Sequence, residues 1–424
     1  MLDAALARQV AGVAGTPAYV YDLAAVRDNL AALRAALPAG TDAYYSLKAN
    51  RHPRLLSALC RAGSRAEVCS PGELAAALAA GWEPATILYA GPGKRDVDLR
   101  TALDGGVRWF SVDSPYGLDQ LDRCAAAAGA PVRCLLRIND DVPASRAGLT
   151  MTGVPGPFGA DARWVATAPE LFRHRPHVTV AGLHLYMGTN LPTVDDLLAQ
   201  FARSLRTAAE LREVLHGQGV RLEVLDLGGG FGAPFARRGD RLDLSGLREP
   251  LTALLDREAP GWRTGRPRIV FESGRYLTGT AGTLLTRVLD AKWSHGAHHV
   301  VLESGVNHLG GLSGLRRLPP LVPALIPVDR ASPPGDPVPT TVCGPLCTPL
   351  DVWARAVELP RLRPGDLLAV PNVGAYGLDA SLLTFLGHPA PAEVVLDTTD
   401  PAPAGWDISR QDLVRTPIDR GELL

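Results

Sequence analysis

The lysine at position 48 closes a run of residues that is typical of a buried strand. The run YYSLKAN covers residues 44–50, and Pro53 follows it. Lysine is rarely buried unless its ammonium group is paired or takes part in a reaction. Lys48 therefore marks either the point where a strand emerges into solvent or a desolvated amine that can form a Schiff base with an aldehyde. Taken alone, the run leaves both interpretations open.

A triple glycine follows a later strand-like run. The run LDLGGGFG (225–232) contains Gly228, Gly229 and Gly230. Because these residues lack side chains, their backbone N–H groups can approach a phosphate closely. The alternative is a simple tight turn.

A carboxylate stands at the end of the next such run. In FESGRYL (271–277), Glu272 precedes Gly274 and Arg275, which offer further N–H donors and a cation. The alternative for Glu272 is an ion pair at a surface loop. A lysine, a glycine turn and a carboxylate would form one site only if a fold brought these strand ends together.

The segment that carries these residues alternates regularly between strand-like runs and helical patterns. Such alternation predicts parallel strands with right-handed crossovers. Eight units in this length favour an α/β fold of the (β/α)8 barrel type, with the active site at the C-terminal ends of the strands. An open doubly wound sheet is the alternative, but it usually has fewer strands. The runs are DAYYSLK (42–48), RAEVCS (65–70), TILYAG (86–91), RWFSVD (108–113), VRCLLRI (132–138), VTVAGLHLYM (178–187), EVLDLGGG (223–230) and RIVFES (268–273).

Two of the helical patterns are clear. Residues 70–80, SPGELAAALAA, begin with Ser70 as an N-cap and carry Glu73 for a capping box, and Gly81 ends the pattern. Residues 192–217 form a longer amphipathic stretch.

The chain after residue 275 changes character. Its β-rich runs are separated by Pro and Gly turns and contain few helical patterns, which predicts an all-β domain. We expect residues 1–29, which include the strand-like run TPAYVYD (16–22), to join that domain. The expected division is then 1–29 with 278–424 as the β domain, and 30–277 as the barrel.

The composition excludes several classes of partner. The formal net charge is −1, so nothing in the charge balance favours nucleic acid or an anionic membrane. Six cysteines scattered through 424 residues indicate reduced thiols, and we expect a cytoplasmic protein. Cys343 and Cys347 lack the second ligand pair that a zinc site needs, so we expect no metal.

Seven short motifs in register resemble those of the fold-type III pyridoxal-phosphate decarboxylases. That family includes the diaminopimelate, ornithine and arginine decarboxylases of the alanine-racemase-like fold. The resemblance runs from about residue 16 to residue 397. The motifs are YYSLKAN, EVCSPGEL, LLRIND, LDLGGGFG, ESGRYL, CGPLCTPLD and VGAYG.

The resemblance implies pyridoxal phosphate as cofactor and a role for each matched residue. Lys48 would form the aldimine with the cofactor, and Glu272 would face the pyridine nitrogen and favour its protonated form. Cys347 would enter the active site of a partner subunit in a homodimer and protonate the quinonoid carbon after CO₂ leaves. The phosphate would bind at Gly228, Gly229, Gly230, Gly274, Arg275 and Tyr376, and Glu67 and Arg137 would line the ring.

Three departures from the family pattern concern the substrate. Tyr186 stands where family members usually place a histidine against the cofactor ring, while His184 lies two residues earlier on the same strand face. Thr348 replaces the acidic residue that normally follows the catalytic cysteine. Ser304 stands where the ornithine branch has an aspartate, although Glu303 keeps a negative charge nearby.

A fourth departure lies in the loop 140–159, where Pro157, Phe158 and Gly159 replace the usual Lys-Phe-Gly motif. The loop is long and glycine-rich, which leaves a lid and a disordered segment as alternatives.

The sequence favours a decarboxylase for an α-amino acid or amino-acid conjugate of specialised metabolism, whose substrate is a small molecule or is bound to a carrier protein. The first alternative is meso-diaminopimelate decarboxylase of lysine synthesis. A racemase of the same fold is less well supported, because Glu272 strengthens the electron sink that racemases weaken. A degenerate, non-catalytic homologue would not be expected to keep Lys48, Glu272 and Cys347.

Overall fold

The computed structural model describes residues 2–142, 149–150, 152–309, 321–328, 336–400 and 402–417, which fall into two compact units. The barrel unit consists of Leu23–Pro234 and Gly239–Ala281. The β unit consists of the described residues of Met1–Asp22, Phe235–Arg238 and Gly282–Leu424. The boundary expected at residues 29 and 30 falls inside the helix Leu23–Ala36 of the barrel unit.

The helices and strands have the following bounds in chain order. The helices are α1 (Ala4–Ala14), α2 (Leu23–Ala36), α3 (Pro53–Arg61), α4 (Pro71–Ala80), α5 (Asp96–Asp104), α6 (Pro115–Ala127), α7 (Ala162–Thr167), α8 (Val194–His216), α9 (Arg248–Glu258) and α10 (Arg275–Thr278). The strands are β1 (Ala18–Asp22), β2 (Asp42–Ser46), β3 (Arg65–Val68), β4 (Leu88–Tyr89), β5 (Trp109–Val112), β6 (Val132–Asn139), β7 (Leu149–Thr150), β8 (Ala160–Asp161), β9 (Val178–His184), β10 (Gly188–Thr189), β11 (Val224–Asp226), β12 (Arg268–Ser273), β13 (Gly282–Ser294), β14 (Ala297–Leu302), β15 (Ile326–Pro327), β16 (Val338–Cys343), β17 (Val352–Leu359), β18 (Leu367–Pro371), β19 (Ala392–Leu396) and β20 (Asp407–Arg410). Within this part of the chain, every helix is too short or too polar to cross a membrane.

Eight parallel strands close the barrel unit. They follow one another as β2, β3, β4, β5, β6, β9, β11 and β12, and β12 pairs with β2 to complete the ring. Each of the eight runs expected from the sequence contains one of these strands, so the (β/α)8 barrel is confirmed. Some runs extend well past the strand that they contain. Of the predicted run 86–91, only Leu88–Tyr89 forms a strand.

The interior of the barrel changes from apolar to polar towards the C-terminal strand ends. Alternate residues of a strand share a face, so the residues two positions beyond the members of an inward apolar cluster also point inward. The apolar cluster consists of Tyr44, Leu88, Leu135, Val224 and Val270, with Trp109 packed against it. The polar residues two positions further along are Ser46, Ser111, Arg137, Asp226 and Glu272.

The α4 helix begins at Ser70 as the sequence predicts, with one difference in its cap. Ser70 Oγ accepts a hydrogen bond from Glu73 N at 3.2 Å, and Gly81 ends the helix with φ 100°. The Glu73 carboxylate accepts from Cys69 N at 2.7 Å. It therefore braces the end of β3 in addition to the helix. The α8 helix fills the amphipathic stretch expected at 192–217.

The β unit is built on one sheet in which strands from the two ends of the chain meet. Its order is β17-β16-β14-β13-β1-β19-β20, and β18 pairs with both β13 and β15. The early run at 16–22 supplies β1, which pairs antiparallel with β13 and parallel with β19. In this unit the sequence analysis missed α1 and the strands β15, β17 and β20. The core of the unit includes Val10, Val20, Leu285, Leu367 and Val394.

Gly182 is required where β9 crosses beside β11. A Cβ atom at this position would lie 1.9 Å from the carbonyl oxygen of Val224. Backbone atoms cannot yield as a side chain can, so we expect Gly182→Ala to lower the free energy of unfolding by about 1–3 kcal/mol or more.

The matched control is Gly12→Ala on α1, where no atom lies within 4 Å of the added methyl group. Because Gly12 lies inside a helix, this substitution should raise the free energy of unfolding by about 0.5–1 kcal/mol. Urea unfolding of the two variants checks both values, and equal stabilities would contradict the tight crossing.

Candidate active site

Lys48 lies at the mouth of the barrel in the single turn Leu47–Ala49, immediately after β2. Its Nζ atom is 3.3 Å from Glu67 Oε2 and 5.7 Å from the centre of the Tyr186 ring. The Lys48 side chain is 38% exposed, whereas Glu67 is 1% exposed. The amine is thus paired with a buried carboxylate and still accessible to a ligand.

Glu67 is held in its ionised form at the end of β3. Burial alone would raise the pKa of its carboxyl group, but the Lys48 ammonium and hydrogen bonds from Cys69, Ser46 and Lys48 together lower that pKa. The Cys69 thiol lies 3.0 Å from Glu67 Oε1. Burial and the Glu67 charge raise the pKa of Cys69 well above its usual range, so Cys69 stays a thiol that supports Glu67.

Two cations flank the Tyr186 ring. The Arg137 guanidinium lies 6.0 Å from the centre of this ring, and Lys48 Nζ lies 5.7 Å from the same centre. Arg137 contacts the Phe158 ring as well, at 4.9 Å. An aromatic face attracts cations through its quadrupole. Tyr186 therefore helps to place both Lys48 and Arg137.

The glycine turn after β11 is pressed against its neighbours. A Cβ atom at Gly228, whose φ is 65°, would lie 2.7 Å from the Tyr186 ring. A Cβ atom at Gly229 would lie 2.2 Å from the carbonyl oxygen of Glu272. Among the described residues, the N–H groups of Gly229 and Gly230 donate to no acceptor. The triple glycine is therefore a turn that needs small residues and also presents two adjacent N–H donors.

The neighbouring strand adds Gly274 and Arg275 beside this turn. Glu272 N donates to Gly228 O at 2.8 Å, which ties the end of β12 to the turn after β11. Arg275 is the first residue of α10, directly after Gly274. The loops that follow the last two barrel strands thus lie together, as a phosphate site in this architecture requires.

Behind the mouth, Glu272 belongs to a buried cluster with Asp226 and His184. One side-chain ligand atom from each of the three residues lies within 4.8 Å of the other two. His184 Nε2 is 3.3 Å from Glu272 Oε1, and His184 Nδ1 is 2.8 Å from Ser111 Oγ. His184 is thus a buried residue that supports Glu272 from behind.

Burial sets the ionisation of this cluster. It lowers the pKa of His184 well below its usual range, with help from the Arg137, Lys48 and Lys94 charges, so the imidazole is neutral. Burial raises the pKa of Asp226 to about 7, although a hydrogen bond from Gly228 N opposes this shift. Burial and the Asp226 and Glu67 charges raise the pKa of Glu272 well above its usual range. Two carboxyl groups this close hold a proton between them near neutral pH.

The remaining residues expected at the site belong to the β unit. Cys347 is exposed, and Thr348 and Tyr376 are partly buried. Ser304 is fully buried, whereas Glu303 is half-buried and accepts a hydrogen bond from Arg287 N at 2.8 Å. The roles expected for these five residues stay predictions.

The sequence analysis missed a second lysine at the strand ends of the barrel. Lys94 is only 8% exposed and lies 3.8 Å from Asp113 Oδ2. Asp113 Oδ1 accepts from Gly159 N at 2.7 Å and so anchors the Pro157–Gly159 turn to the barrel. The lysine lies after a strand of only two residues, and no sequence pattern distinguishes it from a surface lysine. The expected lid or disordered segment at 140–159 falls partly on residues 143–148 and 151, which lie outside the described residues.

Comparisons with known proteins identify the class. The family model for the pyridoxal-binding domain of pyridoxal-dependent decarboxylases matches residues 23–279. The L-glutamyl-[BtrI acyl-carrier protein] decarboxylase of Niallia circulans is 32% identical over 385 residues, which cover 90% of this chain and 88% of that protein. The 2-[(L-alanin-3-ylcarbamoyl)methyl]-2-hydroxybutanedioate decarboxylase of Staphylococcus aureus is 30% identical over 396 residues, or 90% and 94% of the two chains.

A solved structure has the same fold. The diaminopimelate decarboxylase of Helicobacter pylori, crystallised with L-lysine, superposes with a TM-score of 0.81 at 24% identity and covers 95% of this chain and 96% of that one. Fold, site and relatives together define a fold-type III, pyridoxal-phosphate-dependent carboxy-lyase. The chain belongs to the family of pyridoxal-dependent amino-acid decarboxylases.

The side chains present at the barrel mouth fit pyridoxal phosphate. The accessible Lys48 amine suits an aldehyde, the N–H groups of Gly229 and Gly230 suit a phosphate, and the buried Glu272 suits a ring nitrogen. Lys48 directly follows β2, Glu272 lies on the adjacent strand β12, and the glycine turn follows β11 next to them. One ligand of this chemistry can therefore meet all three groups.

We expect Lys48→Ala to abolish the covalent, borohydride-reducible link to the cofactor and nearly all turnover. Lys94→Ala is the matched control, because Lys94 also lies at the strand ends of the barrel but is buried and paired with Asp113. The control should keep the reducible link. Mass spectrometry after borohydride treatment checks both variants, and cofactor trapped on Lys48→Ala would contradict the assignment.

The raised pKa of Asp226 predicts a pH-dependent stability. A carboxyl group whose pKa is higher in the folded protein favours folding while it is protonated, and that contribution is lost as the pH rises through the folded value. For the cofactor-free protein, the free energy of unfolding should fall as the pH passes through about 7. Asp226→Asn cannot ionise, and its profile should be flatter. Denaturant unfolding over a pH series checks this, and identical profiles would refute it.

Proposed function

We propose that this decarboxylase acts on an amino acid whose far end is conjugated, carboxylated or held on a carrier protein, in specialised metabolism. Free ornithine, arginine and lysine carry a distal ammonium group, which needs a carboxylate partner when it is desolvated. The proposal rests on the hydrogen bonds that two carboxylates of the β unit already accept.

Two carboxylates stand in the segments that the family uses to read the substrate. Glu303 Oε1 accepts from Arg287 N at 2.8 Å. Asp351 is 2% exposed, and its two oxygens accept from Val306 N and Leu346 N, each at 2.8 Å. Within the described residues 303–309 and 344–351, both acidic side chains thus bind backbone N–H groups. The positions that usually carry amine readers hold Ser304 and Thr348 instead.

The named substrates of the two relatives support the same class. One name describes a glutamyl group on an acyl-carrier protein, and the other describes an alanine joined through an amide to a hydroxybutanedioate. Neither substrate presents a free distal ammonium group. Both relatives match about nine-tenths of this chain.

The barrel residues would act on the reacting end of the substrate. Pyridoxal phosphate supplies the electron sink for the carbanion that CO₂ loss leaves behind. Lys48 would hold the cofactor covalently, Arg137 and Tyr186 would line its ring, and Glu272 would face its ring nitrogen. The phosphate would bind Gly228, Gly229, Gly230, Gly274, Arg275 and Tyr376. Cys347 would be the proton donor, and we expect the reaction to take place in the cytoplasm.

Steady-state kinetics over a panel tests the substrate class. We expect turnover of N-acyl or citryl amino-acid conjugates or of carrier-bound aminoacyl thioesters, and little turnover of free ornithine, arginine or lysine. meso-Diaminopimelate is the alternative, because the motif set resembles its branch. A kcat/KM for diaminopimelate above ~10⁴ M⁻¹s⁻¹ would overturn the proposal.

A charge introduced at Thr348 sharpens this test. Thr348→Glu should improve the weak turnover of diaminopimelate or lysine relative to the conjugates, because a charge-assisted contact to the distal ammonium is worth about 1.5–3 kcal/mol. Thr167→Glu, at an exposed position on α7, makes the same change in charge and should alter neither activity. Equal specificity ratios for both variants would argue against Thr348 as a substrate contact.

We further propose a two-fold homodimer with shared sites, in which Cys347 of one chain serves Lys48 of the other. Lys48→Ala and Cys347→Ala should each be inactive alone. After mixing and reassortment, about half of the dimers should be mixed and each should hold one intact site, so about a quarter of sites should recover. Mixed dimers that form without recovering activity would contradict shared sites.

A further inference from the structure

We propose that Asp226 acts as a neutral acid which, with neutral His184, donates hydrogen bonds to Glu272 and so keeps the negative charge of this buried cluster on Glu272. Asp226 and His184 are then positioning residues, because they act on the cofactor only through Glu272. The inference rests on the proposed function in one respect, namely that Glu272 faces the ring nitrogen of the cofactor.

The register of the barrel places the three residues side by side. Asp226 on β11 lies opposite His184 on β9 and opposite Val270 on β12. Glu272 stands two residues beyond Val270 and so points to the same interior face. Ser111, on β5, reaches His184 Nδ1 across the interior at 2.8 Å.

Three enclosed polar atoms in this cluster have no hydrogen-bond partner: His184 Nε2, Asp226 Oδ2 and Glu272 Oε1. Buried polar atoms are nearly always satisfied in folded proteins, so this grouping needs an explanation. The 3.3 Å approach of His184 Nε2 to Glu272 Oε1 shows that these atoms face each other, although the angle is not that of a formed hydrogen bond.

One proton placed on Asp226 Oδ2 completes the pattern. In the proposed arrangement Ser111 donates to His184 Nδ1 and the ring proton lies on Nε2, which is 3.3 Å from Glu272 Oε1. The Asp226 O–H becomes a second donor towards Glu272, while Asp226 Oδ1 keeps its bond from Gly228 N at 2.9 Å. Each of the three orphaned atoms then acquires a role, and within this cluster Glu272 accepts from both donors.

The surrounding charges agree with this placement. Lys48 and Arg137 lower the pKa of Glu272, and Glu67 and Asp226 raise it. Arg268 lowers the pKa of Asp226 and Glu67 raises it. Burial and the charges of Arg137, Lys48 and Lys94 oppose a charged His184. Without cofactor, burial raises the pKa of both Glu272 and Asp226. A protonated pyridine nitrogen beside Glu272 would lower the pKa of Glu272 more than that of Asp226, because it favours the charged form of the nearer carboxyl group.

The distinguishing substitution is Asp226→Asn, which reproduces the geometry of a protonated aspartate. Its amide keeps an oxygen for Gly228 N and supplies an N–H donor in place of the O–H. We expect Asp226→Asn to keep the cofactor spectrum and to bind pyridoxal phosphate within about threefold of the wild type. Asp226→Leu removes the donor and should weaken cofactor binding about tenfold or more, the scale of a hydrogen bond to a charged group.

Infrared spectroscopy of the cofactor-loaded full chain supplies a readout independent of turnover. A protonated carboxylic acid has a carbonyl stretch separate from the carboxylate bands. We expect such a band near neutral pH that disappears in Asp226→Asn. The control is Glu73→Gln, which removes another buried carboxyl group whose pKa burial raises. It should leave the Asp226 band in place.

Three results would overturn the inference. One is a carboxylic-acid band that survives in Asp226→Asn. Another is weakened cofactor binding in Asp226→Asn equal to that in Asp226→Leu, which would mean that Asp226 acts as an anion. The third is a stoichiometric metal ion that is lost on substitution of Asp226, because the three side chains also have the spacing of a metal site. If instead Glu272 does not face the ring nitrogen, the result differs. Glu272→Gln would then leave the cofactor spectrum unchanged, while the carboxylic-acid band of Asp226 would remain.

Discussion

Closure of the parallel barrel is the constraint on which the site depends. Once eight strands form a ring, every second residue must point into a narrow interior that water does not fill. An apolar cluster around Tyr44, Leu135 and Val270 occupies the layer below the mouth. One step of two residues along the same strands brings Arg137, Glu272 and their polar neighbours into the next layer. The reactive groups are thus held by strands whose positions the apolar layer already fixes.

Two charged groups near that layer each meet a partner of opposite charge. Lys48 compensates Glu67, and Asp113 compensates Lys94. Among the described residues, no Lys or Arg forms an ion pair with Asp226 or Glu272, and burial raises the pKa of both groups. An unmatched pair of carboxyl groups costs stability when both ionise, and a cationic ring nitrogen offsets that cost. In the proposed orientation of the cofactor, the same feature that weakens the cofactor-free barrel would favour binding of a protonated pyridine.

The sequence revealed the groups that interrupt an apolar pattern and missed polar residues that fit the regular alternation of a strand. Lys48, Glu272 and the glycine turn stand out because a charge or a run of glycines interrupts an apolar pattern. Asp226 lies inside LDLGGG, where alternation alone does not reveal that an inward residue is polar. Ser111 and His184 pair across the interior from strands β5 and β9, and no local pattern encodes that contact. The sequence predicts Glu73 as a capping residue. Its carboxylate instead accepts a hydrogen bond from Cys69 N, directly after β3, because the folded barrel brings this second donor within reach.

Three groups that suit pyridoxal phosphate and two of the four departures from the family pattern lie in different units of the chain. Lys48, Glu272 and the glycine turn keep the types that pyridoxal-phosphate chemistry needs, and all of them belong to the barrel unit. Ser304 and Thr348 depart from the family pattern and belong to the β unit. In that unit Asp351 uses both carboxylate oxygens to join Val306 N and Leu346 N, and so links the two segments that carry these departures. Gly305 and Gly344 are needed for this link, because a Cβ atom at either position would lie 2.6 Å or 2.3 Å from the carboxylate. Because this buried acid holds the backbone of both loops, we expect Ser304 and Thr348 to be replaceable, and substrate preference to shift with them, without disturbing the barrel unit.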